Sequence, residues 1–120
     1  MACYVDGFVI PVPKKNIAAY AKMSAKAGKV WKEYGALNYV ECAGDDLNPE
    51  GIKAIFPKLT KTKPGETVVF SYITYKSRAH RNKVLEKVMK DPRITCTIND
   101  KMPFDPKRMS YGGFTSIVDL

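Results

Sequence analysis

The stretch Thr67–Asp91, TVVFSYITYKSRAHRNKVLEKVMKD, constrains the fold more than any other part of the chain. Val68, Phe70, Tyr72 and Thr74 alternate with Val69, Ser71, Ile73 and Tyr75, the period of two of a strand with two different faces. Ser77 follows, and its hydroxyl suits the unpaired amides at the start of a helix. Asp91-Pro92 ends that helix, because a proline disfavours helical geometry in the residue before it. The segment also holds the only histidine, His80.

The rest of the chain arranges itself around this pair. Cys3–Val12 alternates as a strand, with Tyr4, Asp6, Phe8 and Ile10 on one side and Cys3, Val5, Gly7 and Val9 on the other, and Pro11 and Pro13 end it. Ile17, Tyr20, Ala21, Ser24, Ala27, Gly28, Trp31 and Tyr34 recur at helical spacing, which predicts a long helix over Lys14–Tyr34 closed by Gly35. Ala36–Ala43 reads as a second strand, with Leu37, Tyr39 and Glu41 facing one way. The long connection Asp45–Glu66 holds a short edge strand at Ile52–Leu59, and Pro64-Gly65 turns into the central strand. Pro92–Lys107 is an irregular, ordered loop, and Arg108–Leu120 is the last strand. Gly112-Gly113 inside that strand marks a bulge or a close approach.

The order is β-α-β-β-α-β, so the fold class is α+β, ferredoxin-like: a four-stranded antiparallel sheet with two helices on one face. With 120 residues, residues 1–120 suit one domain. We assign Val5, Val9, Val40, Val69 and Ile73 to the helix side of the sheet, against Trp31, Val84, Leu85, Val88 and Met89. The other side then carries Tyr4, Phe8, Ile10, Leu37, Tyr39, Phe70 and Tyr72, with Asp6 and Glu41 among them. So large an apolar face calls for a second subunit packed sheet to sheet, and the expected partner is a homodimer mate.

Composition removes several function classes. Hydrophobic residues at 45% and charged residues at 27% are globular values, and no apolar run is long enough to span a membrane. The N-terminus reads as a strand rather than a signal peptide, which points to the cytoplasm. Cys3, Cys42 and Cys96 are odd in number and lack C-x-x-C spacing, which argues against a disulfide framework and a zinc site. Neither a metal nor a cofactor is expected, since a single imidazole supplies too few ligands. The net charge of +8 permits a polyanion partner, but the lysines are spread without an aromatic-and-basic RNA-binding pattern, so nucleic acid ranks low.

Several segments carry a resemblance. Tyr4-Val5-Asp6-Gly7-Phe8, Tyr75-Lys76-Ser77-Arg78-Ala79-His80-Arg81, Met89-Lys90-Asp91-Pro92-Arg93, Met102-Pro103-Phe104-Asp105, Lys107-Arg108-Met109 and Tyr111-Gly112-Gly113-Phe114 resemble the YbaA-like family of small bacterial proteins of unknown function (domain of unknown function 1428). The resemblance covers nearly the whole chain. It implies the dimeric α+β barrel superfamily, in which two ferredoxin-like subunits pack their sheets around a shared barrel. It implies no settled activity. Superfamily relatives include cofactorless monooxygenases, haem-degrading proteins and isomerases, and some family members carry an RNA-related label.

The candidate catalytic residues are His80 and Asp6. His80 shares a helix face with Val84, and the helix N-terminus favours a neutral ring able to accept a proton; the alternative is a half-buried histidine bonded to backbone. Asp6 is a carboxylate on an aromatic strand face, where burial raises its pKa unless a cation pairs with it. Arg108, on the strand expected beside the first, is the suggested partner. Arg78 and Arg81 could hold an anionic group of a ligand. Tyr72 and Tyr111 complete the ligand-binding candidates, with core or interface packing as their alternative. The resulting expectation is a small anionic molecule bound in the barrel. The competing readings are a cofactor-independent oxygenase- or isomerase-like enzyme using His80 or Asp6, and a basic RNA-binding module.

Overall fold

The computed structural model describes residues 3–97 and 101–120. Strands β1 (Tyr4–Pro13), β2 (Asn38–Ala43), β3 (Glu66–Tyr75) and β4 (Ser110–Thr115) form one antiparallel sheet in the order β2-β3-β1-β4. Helices α1 (Ile17–Glu33) and α3 (Arg78–Val88) follow β1 and β3, which completes the ferredoxin-like arrangement. Two four-residue helices, α2 (Phe56–Leu59) and α4 (Pro92–Thr95), lie in the connections.

Local chemistry sets the helix ends. Ser77 accepts a hydrogen bond from the His80 amide and starts α3. At the end of α1, Gly35 takes φ of 112°, and the amides of Ala36 and Gly35 bond the carbonyls of Trp31 and Lys32, the two bonds of a Schellman closure. Asp91 caps α4 by accepting from the Arg93 amide at 2.8 Å.

Several details depart from expectation. The last strand spans Ser110–Thr115 rather than Arg108–Leu120, and the segment expected to be irregular, Pro92–Lys107, contains α4 and runs into a 3-10 turn at Pro106–Arg108. Residues 14–16 form a 3-10 turn before α1. The Ile52–Leu59 segment holds α2 instead of an edge strand, because Pro57 in its first turn suits a helix start and has no amide for a ladder. β1 runs through Pro11 and Pro13, yet β4 pairs only as far as Val9; the prolines therefore fall where that side of β1 has no ladder partner. The Gly112-Gly113 pair makes no bulge, since the β1–β4 register is unbroken. Gly113 allows a close approach: a Cβ there would lie 2.8 Å from Tyr4 Cζ.

The sheet faces are the main correction. Val69, Ile73 and Tyr75 of β3 face the helices, as the alternation predicts. In β1 and β2 the assignment is reversed: Tyr4, Asp6, Phe8 and Ile10, with Tyr39 and Glu41, share the helix side, because the register pairs Asp6 with Ile73 and Phe8 with Ser71, and Ser71 with Glu41. Both sides of these strands are apolar, and a one-residue change of phase moves every side chain across the sheet. Thus the larger side chains fill the space under the helices. Val5, Val9, Val40, Phe70, Tyr72 and Phe114 lie on the open face.

Under the helices the core is divided. One cluster joins Tyr4, Ile73 and Tyr75 to Val30 of α1 and Val84 and Val88 of α3. The other joins Ile10, Val12 and Val69 to Tyr20. Between them the cross-strand row is Phe8, Ser71 and Glu41, and the small Ser71 leaves the gap that becomes the candidate site.

Candidate functional site

A cavity of about 380 Å³ occupies this gap, between the sheet floor and the inner faces of α1 and α3. Ile10, Ile73, Met23, Leu85, Met89 and Phe104 supply apolar wall, and Phe8, Tyr20, Trp31, Tyr39 and Tyr111 supply rings. Ala27 and Ser71 border it without filling it. Two carboxylates, Asp6 and Glu41, lie on its lining. An apolar pocket with a few convergent polar groups is the usual form of a small-molecule site. A second groove along α1, at Gly28, Lys29, Lys32, Glu33 and Tyr39, is open to solvent.

Asp6 is 1% exposed. Its Oδ1 accepts hydrogen bonds from Arg81 Nη1 at 3.2 Å and Tyr111 Oη at 3.1 Å. Arg81 reaches it from the first turns of α3, donates to Tyr4 Oη at 3.2 Å and lies 5.0 Å from the centre of the Tyr4 ring. Arg81 also donates to Tyr111 Oη, so the four side chains form one network. Burial pushes the Asp6 carboxyl above the ordinary value, and the guanidinium and the Tyr111 hydroxyl only partly offset it. Three buried donors in and beside the network, Arg81 Nε, Tyr75 Oη and Trp31 Nε1, have no hydrogen-bond partner among the described residues.

Glu41 stands on β2, two strands from Asp6 and one pleat period along; ideal sheet spacings put their backbone positions roughly 12 Å apart. Its Oε2 accepts from Tyr20 Oη at 2.6 Å. Burial raises its pKa, with the Tyr20 hydroxyl opposing. Burial also pushes the Tyr39 phenol up to about 12, which keeps it a neutral donor or acceptor in its 2.9 Å contact with Ser24.

The sequence candidates separate in space. Asp6, Arg81 and Tyr111 come together. His80 is not on the cavity wall: its Nδ1 accepts from the Lys76 amide at 3.0 Å, and its ring packs edge-on to Tyr75 with centroids 5.9 Å apart. Nε2 faces Gly35, where a Cβ would come within 3.3 Å, so the ring sits at the junction of α1 and α3. Tyr72 is on the open sheet face beside Phe70. Arg78 is exposed. Arg108 pairs with Glu66 at 2.6 Å rather than with Asp6, because the register places it beyond the end of β4, next to the start of β3. No guanidinium is left free at the cavity to meet an anion, since Arg81 is already paired with Asp6. Among the described residues, no group of three or more His, Cys, Asp or Glu could hold a metal ion.

Glu41, Tyr20, Ser24, Tyr39 and Ser71 are site residues that the sequence candidates omit. The signal for Glu41 was the same as for Asp6, a carboxylate alternating with large apolar residues on a strand.

The family model described as a protein of unknown function, DUF1428, matches residues 3–106. The chain belongs to this family. Its relatives include the uncharacterized protein YbaA of Escherichia coli strain K12, 47% identical over 116 residues that cover 97% of each chain, with the same figures for YbaA of Shigella flexneri. Among solved structures, a dimeric ferredoxin-like protein from an uncultured marine organism matches with a TM-score of 0.58 at 10% identity, covering all of both chains. An uncharacterized NIPSNAP domain protein from Burkholderia xenovorans matches with a TM-score of 0.56 at 10% identity over 97% of this chain and 94% of that one. At this identity the structures attest the fold of this DUF1428 member. No helix among the described residues is long and apolar enough to cross a membrane.

Proposed function

We propose that this chain is a one-domain cytoplasmic protein that binds a small, largely apolar molecule in the cavity between its sheet and helices. The observation that carries this reading is the cavity itself, walled by apolar and aromatic side chains and containing two carboxylates. Such a site offers shape and a few polar anchors, which is what recognition of a small molecule requires. The three cysteines are free thiols, in keeping with a reducing compartment.

Two copies pair through the open sheet face. Phe70 is 46% exposed and Phe114 61% exposed, with Val5, Val9, Val40 and Tyr72 beside them, and the marine neighbour of the same fold is described as dimeric. An enzymatic version of the reading is of the cofactor-independent type and rests on the carboxylates, because His80 lies outside the cavity.

Ligand-detected NMR against a library of small aromatic and aliphatic metabolites tests the proposal. Ala27→Phe places a ring in the cavity from α1, so hits at this site disappear in that variant and persist in His80→Asn. A set of hits that bind Ala27→Phe as well as the unaltered protein would overturn the assignment.

A further inference from the structure

We infer that the cavity is built for an organic cation, an amine with an apolar body whose ammonium group pairs with Glu41. The inference rests on the cavity reading above and deepens it by naming the ligand class. Its basis is the pairing of the carboxylates. Four carboxylates among the described residues are buried or half-buried: Asp6, Glu41, Glu66 and Asp91. Asp6 has Arg81 at 3.2 Å, Glu66 has Arg108 at 2.6 Å and Asp91 has Arg93 at 2.8 Å. Among the described residues Glu41 has no Lys or Arg partner; the groups that meet it are hydroxyls, Tyr20 donating at 2.6 Å with Ser24 and Ser71 beside it.

A carboxylate removed from water without a cation is the arrangement proteins avoid, and a pairing cation from outside relieves it. The surroundings suit such a cation. Tyr20, Trp31 and Tyr39 border the same space, and aromatic faces attract ammonium groups through the ring quadrupole. The apolar wall of Ile10, Met23 and Phe104 takes the body of the ligand. The other carboxylate on the lining, Asp6, is paired with Arg81 at 3.2 Å, so Glu41 sets the net sign of the cavity. An anion would meet that charge with no lysine or arginine on the cavity lining to pair with it.

Three probes that share one body and differ in charge decide the matter: 4-phenylbutylamine, 4-phenylbutan-1-ol and 4-phenylbutyrate. Calorimetry is run on the full chain and on Glu41→Gln and Ala27→Phe, Gln retaining an acceptor for the Tyr20 hydroxyl. The amine is expected to bind about tenfold to a hundredfold more tightly than the alcohol, the margin of a hydrogen bond to a charged group, and the carboxylate most weakly. Glu41→Gln brings the amine down to the alcohol and leaves the alcohol unchanged, which also reports an intact fold. The amine's advantage fades on acidification as Glu41 protonates, whereas alcohol affinity stays level. Equal binding of amine and alcohol, or an amine preference that survives Glu41→Gln, with Ala27→Phe still blocking both, overturns the cation and leaves the cavity standing. Absence of binding by all three, or binding indifferent to Ala27→Phe, removes the cavity reading and the cation with it.

Discussion

Replacing Arg81 by methionine keeps the aliphatic packing of the side chain and removes the cation paired with Asp6. At 3.2 Å and an effective dielectric of about 20, that pair is worth about 5 kcal/mol of gross attraction. The variant has a cheaper way out, because the carboxyl can take up a proton. For a group whose ordinary value is 3.8, neutralisation near pH 7 costs about 4 kcal/mol, at about 1.4 kcal/mol per pH unit. Protonation therefore sets the ceiling on the loss due to Asp6.

The sign follows from the raised pKa of Asp6. The folded protein holds the proton over a range where the unfolded chain has released it, so this group's contribution is most favourable below the unfolded value and is lost as pH rises through the folded one. Removing Arg81 takes away the largest influence holding the folded value down and extends that range upward. Urea unfolding followed by the fluorescence of Trp31, the single tryptophan, should show Arg81→Met destabilised by less than about 4 kcal/mol from this source near pH 7. The hydrogen bond lost to Tyr4 adds about 1 kcal/mol at every pH. The deficit should shrink toward pH 5, and Asp6→Asn combined with Arg81→Met should recover much of it near pH 7. An equal deficit near pH 5 and pH 8, or a double variant no better than Arg81→Met, would refute the assignment of the buried charge to Asp6.

Gly28→Ala sets helix propensity against packing: the change favours α1 by about 1 kcal/mol, but the new Cβ would lie 2.6 Å from Tyr39 Cδ1 and overpacking costs about 1–3 kcal/mol. Thermal unfolding should show a net loss, and a gain would mean that the Tyr39 ring moves aside freely. His80→Asn should cost roughly 1 kcal/mol and leave ligand hits unchanged; loss of those hits with an intact fold would return His80 to the site. Phe70→Glu places a charge on the open sheet face and should halve the mass measured by light scattering at micromolar concentration, while an unaltered chain that already scatters as a monomer sinks the sheet-to-sheet pairing. Nucleic acid should bind only weakly and with steep salt dependence, as counterion release requires; a selective RNA complex that survives physiological salt would reverse that ranking.

The β-α-β-β-α-β order was legible because its markers are local. The alternation through Thr67–Tyr75, the Ser77 cap, the Gly35 closure and the Asp91-Pro92 stop each act over a few residues. Which side of β1 and β2 met the helices was not legible, since Val5 and Val9 compete with Phe8 and Ile10 for the interior and sequence carries no record of the gap to be filled. That phase decides the site: with it reversed, Asp6 and Glu41 move from an expected dimer barrel to the cavity under the helices. The partner of Asp6 also depended on three-dimensional reach. Arg81 arrives from α3, whereas Arg108 is held by Glu66 at the far end of β1. His80 looked chemically promising because it is unique, but uniqueness says nothing about whether a ring borders a cavity or fills a helix junction.

The methionines in the cavity wall have a practical consequence. Met23, Met89 and Met109 all border the cavity, and they are three of the five methionines in the chain. Isotopic labelling of methionine methyl groups alone would therefore place several spectroscopic reporters around the ligand, with Met102, which is not on the lining, as an internal reference. The same thioethers make the wall chemically vulnerable: conversion to sulfoxides would turn apolar lining polar, so mild peroxide treatment with and without a candidate ligand would read occupancy as protection.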